Sequence, residues 1–441
     1  MKRFILLCLI AAMVIPVVFA GGGQQAKSSS GATQFKFLAT SSGNDANTEQ
    51  TRYRIQKFNE TYAGKYEAVV EWIPGMAEDI RNKLKMLNTA HDLPPVVTNM
   101  SAEPAFAELL IRNNRLIDLK PHFNADPEWK RLAIPESVAF NTREDGRMFG
   151  SPTVLTDFIG IYFNKDHFTK AGIARFPETW DEFWAACDKL KAAGITPISL
   201  HLTETGWCTM LMGSTFLGNT ASGQAFMKQQ FPTNFNTPEI ISMLNMIKRL
   251  YTYTTRDAQG GNYALAANNF SVENTAMIPN GPWMMQSLSD PTFCAPGFDK
   301  KVGYAKFPGG MMISNQGEEY GDGVSVDVSQ AQQAGAIEWL RFFATNQEVL
   351  RYSGRMNGAF SPHVPLLPAD TASFIPPMKS YADIVPTIQK TIPNYQSRWD
   401  VLTQHEVIET EMINLVNGII SAEEMAAKMT ATARRYAAEP Q

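Results

Sequence analysis

An α/β protein of two globular lobes is what this sequence predicts, and three observations carry the prediction. Its 441 residues exceed what one hydrophobic core usually serves. With 44% apolar and 19% charged residues and no sustained low-complexity tract, the chain can bury large cores. Segments with strand periodicity alternate with segments at helical spacing, the pattern of a mostly parallel sheet with helices on both faces. The 39 basic and 43 acidic residues, a net charge of -4, form no basic stripe to neutralise phosphates, so nucleic acid is not an expected partner.

The first twenty residues read as a secretory signal peptide. Lys2 and Arg3 precede an apolar run from Phe4 to Val18, and Val18-Phe19-Ala20 places small residues at the cleavage positions, with the cut after Ala20. A retained membrane anchor is the competing reading, but the run is shorter than the roughly twenty residues needed to cross a bilayer. Cys8 lies inside the run and positions 19 to 23 hold no Cys, so a periplasmic protein without a lipid anchor is expected. Residues 21–33, rich in Gly, Gln and Ser, read as a flexible lead-in. Cys187, Cys208 and Cys294 are an odd number without a CxxC, which allows at most one disulfide. Cys187 falls in the apolar register of a helix and reads as a core residue.

Phe35, Phe37 and Ala39 mark the first strand, which ends in the polar loop Thr40-Ser41-Ser42-Gly43-Asn44. Ile55, Phe58 and Tyr62 follow at helical spacing, Glu67 to Ile73 reads as a strand, and Met76, Ile80, Leu84 and Leu87 mark a second helix. Pro94 to Val97 supplies a third strand before a helical stretch from Ala105 to Arg112. A second unit opens near Gly150-Ser151-Pro152 with a strand through Ile159, Ile161 and Phe163, and Asn164 caps a short helix ending at Gly172. Thr179 with Glu182 forms a capping box for a helix bearing Phe183, Cys187 and Leu190 and ending at Gly194. Ile195 to Leu200 is the returning strand, residues 239–253 are helical, and Ala276-Met277-Ile278 leads through Asn280-Gly281-Pro282-Trp283 into another helix. Residues Phe307 to Gly310 read as a loop, and Val324, Val326 and Val328 alternate as a strand. Ser329 with Gln332 then caps a helix carrying Ile337, Leu340 and Phe343. Gly354 to Pro368 reads as a crossing or hinge, and three helical segments close the chain, the last capped by Ser421 and Glu424.

The chain has no GxSxG, Walker, HExxH or GxGxxG pattern and no zinc-like Cys/His spacing, and its six His are scattered singly, so neither a metal nor a cofactor is expected. A carboxylate pair of the glycosidase type stays open, because primary sequence does not measure carboxylate separation. The better signal is the set of aromatic and polar residues where strands hand over to loops, the place where ligands bind in open α/β sheets. A sugar presents faces of C–H groups and a rim of hydroxyls, so its site needs flat aromatics beside carboxylates and amides. Trp283, Trp207 and Asp157 supply that mixture.

Two stretches carry a family resemblance. The first runs Gly160-Ile161-Tyr162-Phe163-Asn164-Lys165-Asp166 to Ala171-Gly172-Ile173, then Pro177-Glu178-Thr179-Trp180-Asp181-Glu182-Phe183, then Leu190-Lys191-Ala192-Ala193-Gly194-Ile195-Thr196-Pro197-Ile198. The second is Ala276-Met277-Ile278-Pro279-Asn280-Gly281-Pro282-Trp283. With weaker echoes at Leu116 to Leu119, Gly321-Asp322-Gly323 and Ala336 to Leu350, the chain resembles the extracellular solute-binding proteins of ABC importers, in the sugar-binding branch that includes maltose-binding protein.

The resemblance implies a two-lobed periplasmic-binding-protein clamp, each lobe a mostly parallel sheet flanked by helices. It divides the chain into an N-lobe over 34–155 and 308–356 and a C-lobe over 156–307, with a hinge crossing and C-lobe helices over 357–441. It implies that Asp157, seven positions before Asn164, contacts sugar hydroxyls, that Trp283 stacks on a sugar ring, and that Trp207 adds a second aromatic. Ser42 and Asn44 after the first strand, Asn99 and Glu103 after the third, and Asp322 are the implied N-lobe contacts. The chain lacks the Trp and charged residues that maltose-binding protein carries after its third strand. The implied function is the substrate-binding subunit of an ABC importer. As a monomer without cofactor or catalysis, it captures a mono- or oligosaccharide by hinge closure and delivers it to a membrane permease. A sensor-coupled sugar-binding clamp, a secreted glycoside hydrolase, and a clamp for polyamines or ferric ions are the alternatives.

Overall fold

The computed structural model describes residues 31–41, 46–74, 77–314 and 317–438. The expected signal peptide with its cleavage site, most of the lead-in, and the loop residues Ser42 and Asn44 lie outside the described residues. Among the described residues, no helix is long and apolar enough to cross a membrane.

The smaller core forms around strand β1 (Thr33–Ser41), paired in parallel with β2 (Tyr66–Pro74) from Thr33–Tyr66 to Ser41–Pro74. Strand β3 (Val96–Val97) joins the other side of β1 in parallel, and β9 (Gly323–Val324) pairs antiparallel with β3, giving the order β2-β1-β3-β9. Because successive strand residues face opposite ways, Phe35 and Phe37 enter a cluster with Phe58, Trp129 and Trp339, while Leu38 enters one with Ile80, Leu84 and Val97. Helix α1 (Ala46–Thr61) supplies Phe58 to the first face and α2 (Ala77–Thr89) supplies Ile80 and Leu84 to the second. The helix Gln330–Thr345 completes the first face, its Trp339 ring 4.8 Å from that of Phe37.

The larger core surrounds a sheet of order β5-β6-β4-β7, made from β4 (Gly160–Asn164), β5 (Thr196–Ile198), β6 (Thr275–Asn280) and β7 (Val302–Ala305). Strands β5 and β6 are parallel, but β4 runs antiparallel to both β6 and β7, so this sheet is not mostly parallel as expected. The physical reason is the route of the chain. Strand β4 follows directly from the interlobe crossing, without a helix packed on this sheet, so the right-handed crossover that makes successive strands parallel does not act on it.

Two further differences concern boundaries. Strand β8 (Met311–Ile313) pairs in parallel with β10 (Lys390–Ile392), and Met311, Met312 and Ile313 are all buried in the larger core. The return to the smaller lobe expected at 308 therefore comes after Ile313. The strand expected through Val328 ends at Val324, followed by a single bridge from Ser325 to Leu116. Beyond it, Asp327 accepts the Leu93 amide at 3.0 Å and pairs with Arg115, which turns the chain away from the sheet. A second crossing strand lies beside the first: Thr156 and Phe360 exchange two backbone hydrogen bonds of 2.8 Å.

The three expected capping boxes form. Glu182 N–H donates to Thr179 Oγ1 at 3.2 Å and Thr179 N–H donates back to Glu182 Oε2 at 3.3 Å; Ser329 with Gln332 and Ser421 with Glu424 repeat the arrangement. Asn164 accepts the amides of Asp166 and His167 as its own cap. Thr179→Ala is expected to lower stability by about 1 kcal/mol, the usual cost of a lost N-cap, read from urea denaturation. Cys187, Cys208 and Cys294 are buried free thiols, so the disulfide that three Cys allowed does not form among them.

Candidate functional site

At the end of β6 the chain turns through Gly281 and Pro282 into a short 3-10 segment, Pro282–Ser289. Two buried tyrosines fix this turn. Tyr162 donates its hydroxyl to the Gly281 carbonyl at 2.8 Å, and the Tyr304 hydroxyl lies 3.0 Å from the Asn280 carbonyl. A Cβ on Gly281 would come within 2.2 Å of the Trp283 ring, so only glycine lets the indole fold back over the turn. The Trp283 indole is half-buried, with its centroid 5.8 Å from that of Trp207 at an interplanar angle of 40°. Tyr263 extends the group, 6.1 Å from Trp207 and edge-on to it, and its hydroxyl accepts the Asn280 side-chain amide at 3.1 Å.

Trp207 opens the helix Trp207–Leu217, directly after Glu204, Thr205 and Gly206, which all have left-handed φ. Below it, Cys208 N–H donates to His201 Nε2 at 3.3 Å while His201 Nδ1 lies 2.9 Å from the Thr203 carbonyl. The imidazole is therefore neutral, with Nδ1 as its donor, and burial pushes its pKa down to about 4. It is a structural cap, not a charged ligand group.

Asp157 sits half-buried in the first crossing, between the bridge residue Thr156 and Phe158. Burial pushes its carboxyl up to about 6, and only its own backbone amide pulls the other way. No cation among the described residues lowers it. Its charge acts on the buried hydroxyls of Tyr304 and Tyr381, and Tyr381 Oη accepts the Phe158 amide at 3.0 Å. Gly358, at φ 62°, joins this crossing to the Trp283 turn, since a Cβ there would lie 2.6 Å from Pro282 Cβ and 2.8 Å from Tyr381 Cε1.

On the smaller lobe, Asn99 has φ 59° and donates its amide to Asp322 Oδ1 at 3.3 Å. Burial raises Asp322, and the charge of Arg54 and the Asn99 amide act against that rise. Glu103, the other implied contact after β3, forms ion pairs with α2 through Lys85 at 2.8 Å and Arg81 at 3.6 Å. The lobes meet where Pro282–Ser289 lies against α1 and where the turn Met100–Ala102 lies against Tyr395–Ser397. An interlobe cavity of about 390 Å³ is lined by Glu108, Arg112 and Tyr320 from one side and Gln230, Phe231 and Arg398 from the other. Arg398 also pairs across the seam with Glu318.

The structure thus brings Trp207 to Trp283 and Asn99 to Asp322, and sets Asp157 on the crossing between the lobes. Sequence reasoning missed Tyr263, Thr205 and Tyr381, whose roles come from contacts distant along the chain. Gly281 stood inside the quoted Asn280 to Trp283 stretch, and its missing side chain was the available signal.

Residues 44–349 match the family model described as bacterial extracellular solute-binding protein. The chain belongs to that family. As a solute-binding protein it is 26% identical over 204 residues to the multiple sugar-binding protein of Streptococcus mutans, covering 44% of this chain and 46% of that one. It is 36% identical over 80 residues to the sn-glycerol-3-phosphate-binding periplasmic protein UgpB of Brucella abortus, covering 18% of each. The chain spans less than half the length of these curated relatives. Among solved structures, a chitin oligosaccharide binding protein superimposes with a TM-score of 0.75 at 20% identity, over 92% of this solute-binding protein and 100% of the other chain. Maltose-bound T. maritima MalE3 superimposes with a TM-score of 0.71 at 17% identity, over 91% and 99%. These likenesses establish the two-lobed solute-binding fold.

Proposed function

We propose that this chain is the substrate-binding subunit of an ABC importer, capturing a carbohydrate between its lobes and delivering it to a membrane permease. The observation that carries the proposal is the half-buried pair Trp207–Trp283, set at the head of a helix and the end of a strand on the larger lobe. Indole faces complement the C–H faces of a sugar, and Asp157 offers an uncompensated carboxylate to its hydroxyls. Asn99 and Asp322 on the smaller lobe supply further polar groups once the lobes close. Closure is favoured by the difference in sugar affinity between closed and open forms, and no bond in the ligand changes. The signal-like start of the chain and its family support export; cleavage after Ala20 and action in the periplasm as a monomer are part of the proposal.

Two named relatives separate the ligand classes. The glycerol phosphate of the Brucella relative would set a dianion beside Asp157, a carboxylate that no cation among the described residues compensates, which disfavours a phosphorylated ligand. Thermal-shift titration against neutral mono-, di- and oligosaccharides, with glycerol 3-phosphate in parallel, is expected to show a concentration-dependent rise in Tm for a neutral sugar alone. Release of reducing sugar during the titration would convert the reading to a hydrolase. A shift with glycerol 3-phosphate and none with any sugar would reject the carbohydrate assignment.

A further inference from the structure

The backbone beneath Trp207 passes through three left-handed residues in a row. Glu204, Thr205 and Gly206 run consecutively at φ 54°, 60° and 60°, and a β-branched residue such as Thr in this region is an outlier that persists only where surroundings over-determine it. The surroundings do so at both non-glycine positions. Glu204 N–H donates to Glu409 Oε1 at 3.1 Å, and the Glu204 carboxylate accepts the Tyr263 amide at 2.8 Å. Thr205 Oγ1 lies 2.9 Å from Tyr395 Oη, Tyr395 Oη lies 3.2 Å from the Thr205 carbonyl, and Gln396 Nε2 donates to Thr205 Oγ1 at 3.2 Å. One proton assignment satisfies all three. Gln396 donates to Thr205 Oγ1, that hydroxyl donates to Tyr395 Oη, and Tyr395 donates to the Thr205 carbonyl, a closed ring that holds both faces of the strained peptide. Gln404 Nε2 in turn holds the Gln396 carbonyl at 3.2 Å. Thr205 and Tyr395 are buried, so water does not substitute for these bonds.

We propose that Thr205, Tyr395 and Gln396 are positioning residues that hold the Trp207 indole against Trp283, so that the C-terminal part of the chain sets the geometry of the aromatic platform. The proposal rests on the reading of these indoles as the sugar platform only for its effect on binding; its effect on indole geometry stands apart. The turn Tyr395–Ser397 also touches the Met100–Ala102 turn of the smaller lobe, so the same residues join lobe approach to the placement of Trp207.

Two indoles held 5.8 Å apart produce an exciton couplet in circular dichroism; Trp180 and Trp184, 6.2 Å apart, contribute their own, so the Trp207–Trp283 couplet is read as the difference between the parent spectrum and that of Trp207→Phe. Tyr395→Phe, Thr205→Val and Gln396→Leu are measured in the full-length protein below their own Tm, with maltose and the chitin disaccharide as binding probes. The expected result is loss of most of the couplet in all three and at least about fivefold weaker binding of whichever probe the parent binds. Thr205→Ser, which keeps the hydroxyl, is expected to retain both. A couplet unchanged in Tyr395→Phe and Thr205→Val overturns the proposal, whatever the sugars do. A lost couplet with unchanged probe affinity leaves the positioning role standing and refutes the platform reading. Should Tyr395→Phe fail to fold, Thr205→Val against Thr205→Ser decides alone.

Discussion

Trp283→Ala is expected to weaken carbohydrate binding roughly thirtyfold, about 2 kcal/mol, the loss typical of a central aromatic anchor. The indole is half-buried and lies over a turn held by Tyr162 through the Gly281 carbonyl and by Tyr304, whose one hydroxyl proton is shared between the Phe158 and Asn280 carbonyls. Truncation therefore removes the platform without releasing the backbone, and cooperative unfolding of the free protein is retained. Isothermal titration with the best sugar from the thermal-shift panel measures the effect. Parent-like affinity in the variant would remove Trp283 from the site.

The second large effect is at Asp157, where binding and stability are expected to move in opposite directions. Asp157→Asn should weaken sugar binding about tenfold, or about 1.4 kcal/mol, by replacing a charged acceptor of hydroxyl groups. It should also raise the Tm of the free protein at pH 7.5. The sign follows from proton linkage. Burial lifts the carboxyl from 3.8 to about 6, so between pH 4 and pH 6 the folded chain holds more protons than the unfolded one. Its contribution to stability therefore falls as pH rises through that window, and the full cost of the buried charge is present above pH 6. The Tm advantage of the Asn variant should be largest above pH 7 and vanish toward pH 4, while sugar affinity of the parent declines as pH drops below 6. A variant less stable than the parent at pH 7.5 would mean that Asp157 has a stabilising partner.

Local grammar made much of the fold legible. Thr179 with Glu182, Ser329 with Gln332 and Asn164 each announce a helix start through chemistry confined to three or four residues, and each forms. Strand direction was not legible in the same way. Whether β4 runs with or against β6 depends on the path through the crossing, which no window around Ile161 contains. The burial of Met311 to Ile313 was missed for a similar reason, because its partner β10 lies about eighty residues away. At the site, the aromatic identities of Trp207 and Trp283 stood out, whereas their mutual distance, the left-handed turn under Trp207 and the ion pairs of Glu103 depend on tertiary contacts. Glu103 illustrates this: its position after β3 was legible, whereas the two cations of α2 that it pairs with were not.

The way β1 is covered has a consequence for how the protein matures. Phe35 and Phe37 pack on Trp339, some three hundred residues later in the chain, and β3 finds its edge partner only at Val324. Contacts of such separation close slowly, because a long loop must be ordered before they repay its entropy. The core around β1 is therefore completed only after most of the polypeptide has been made, a delay that suits a chain of an extracellular family.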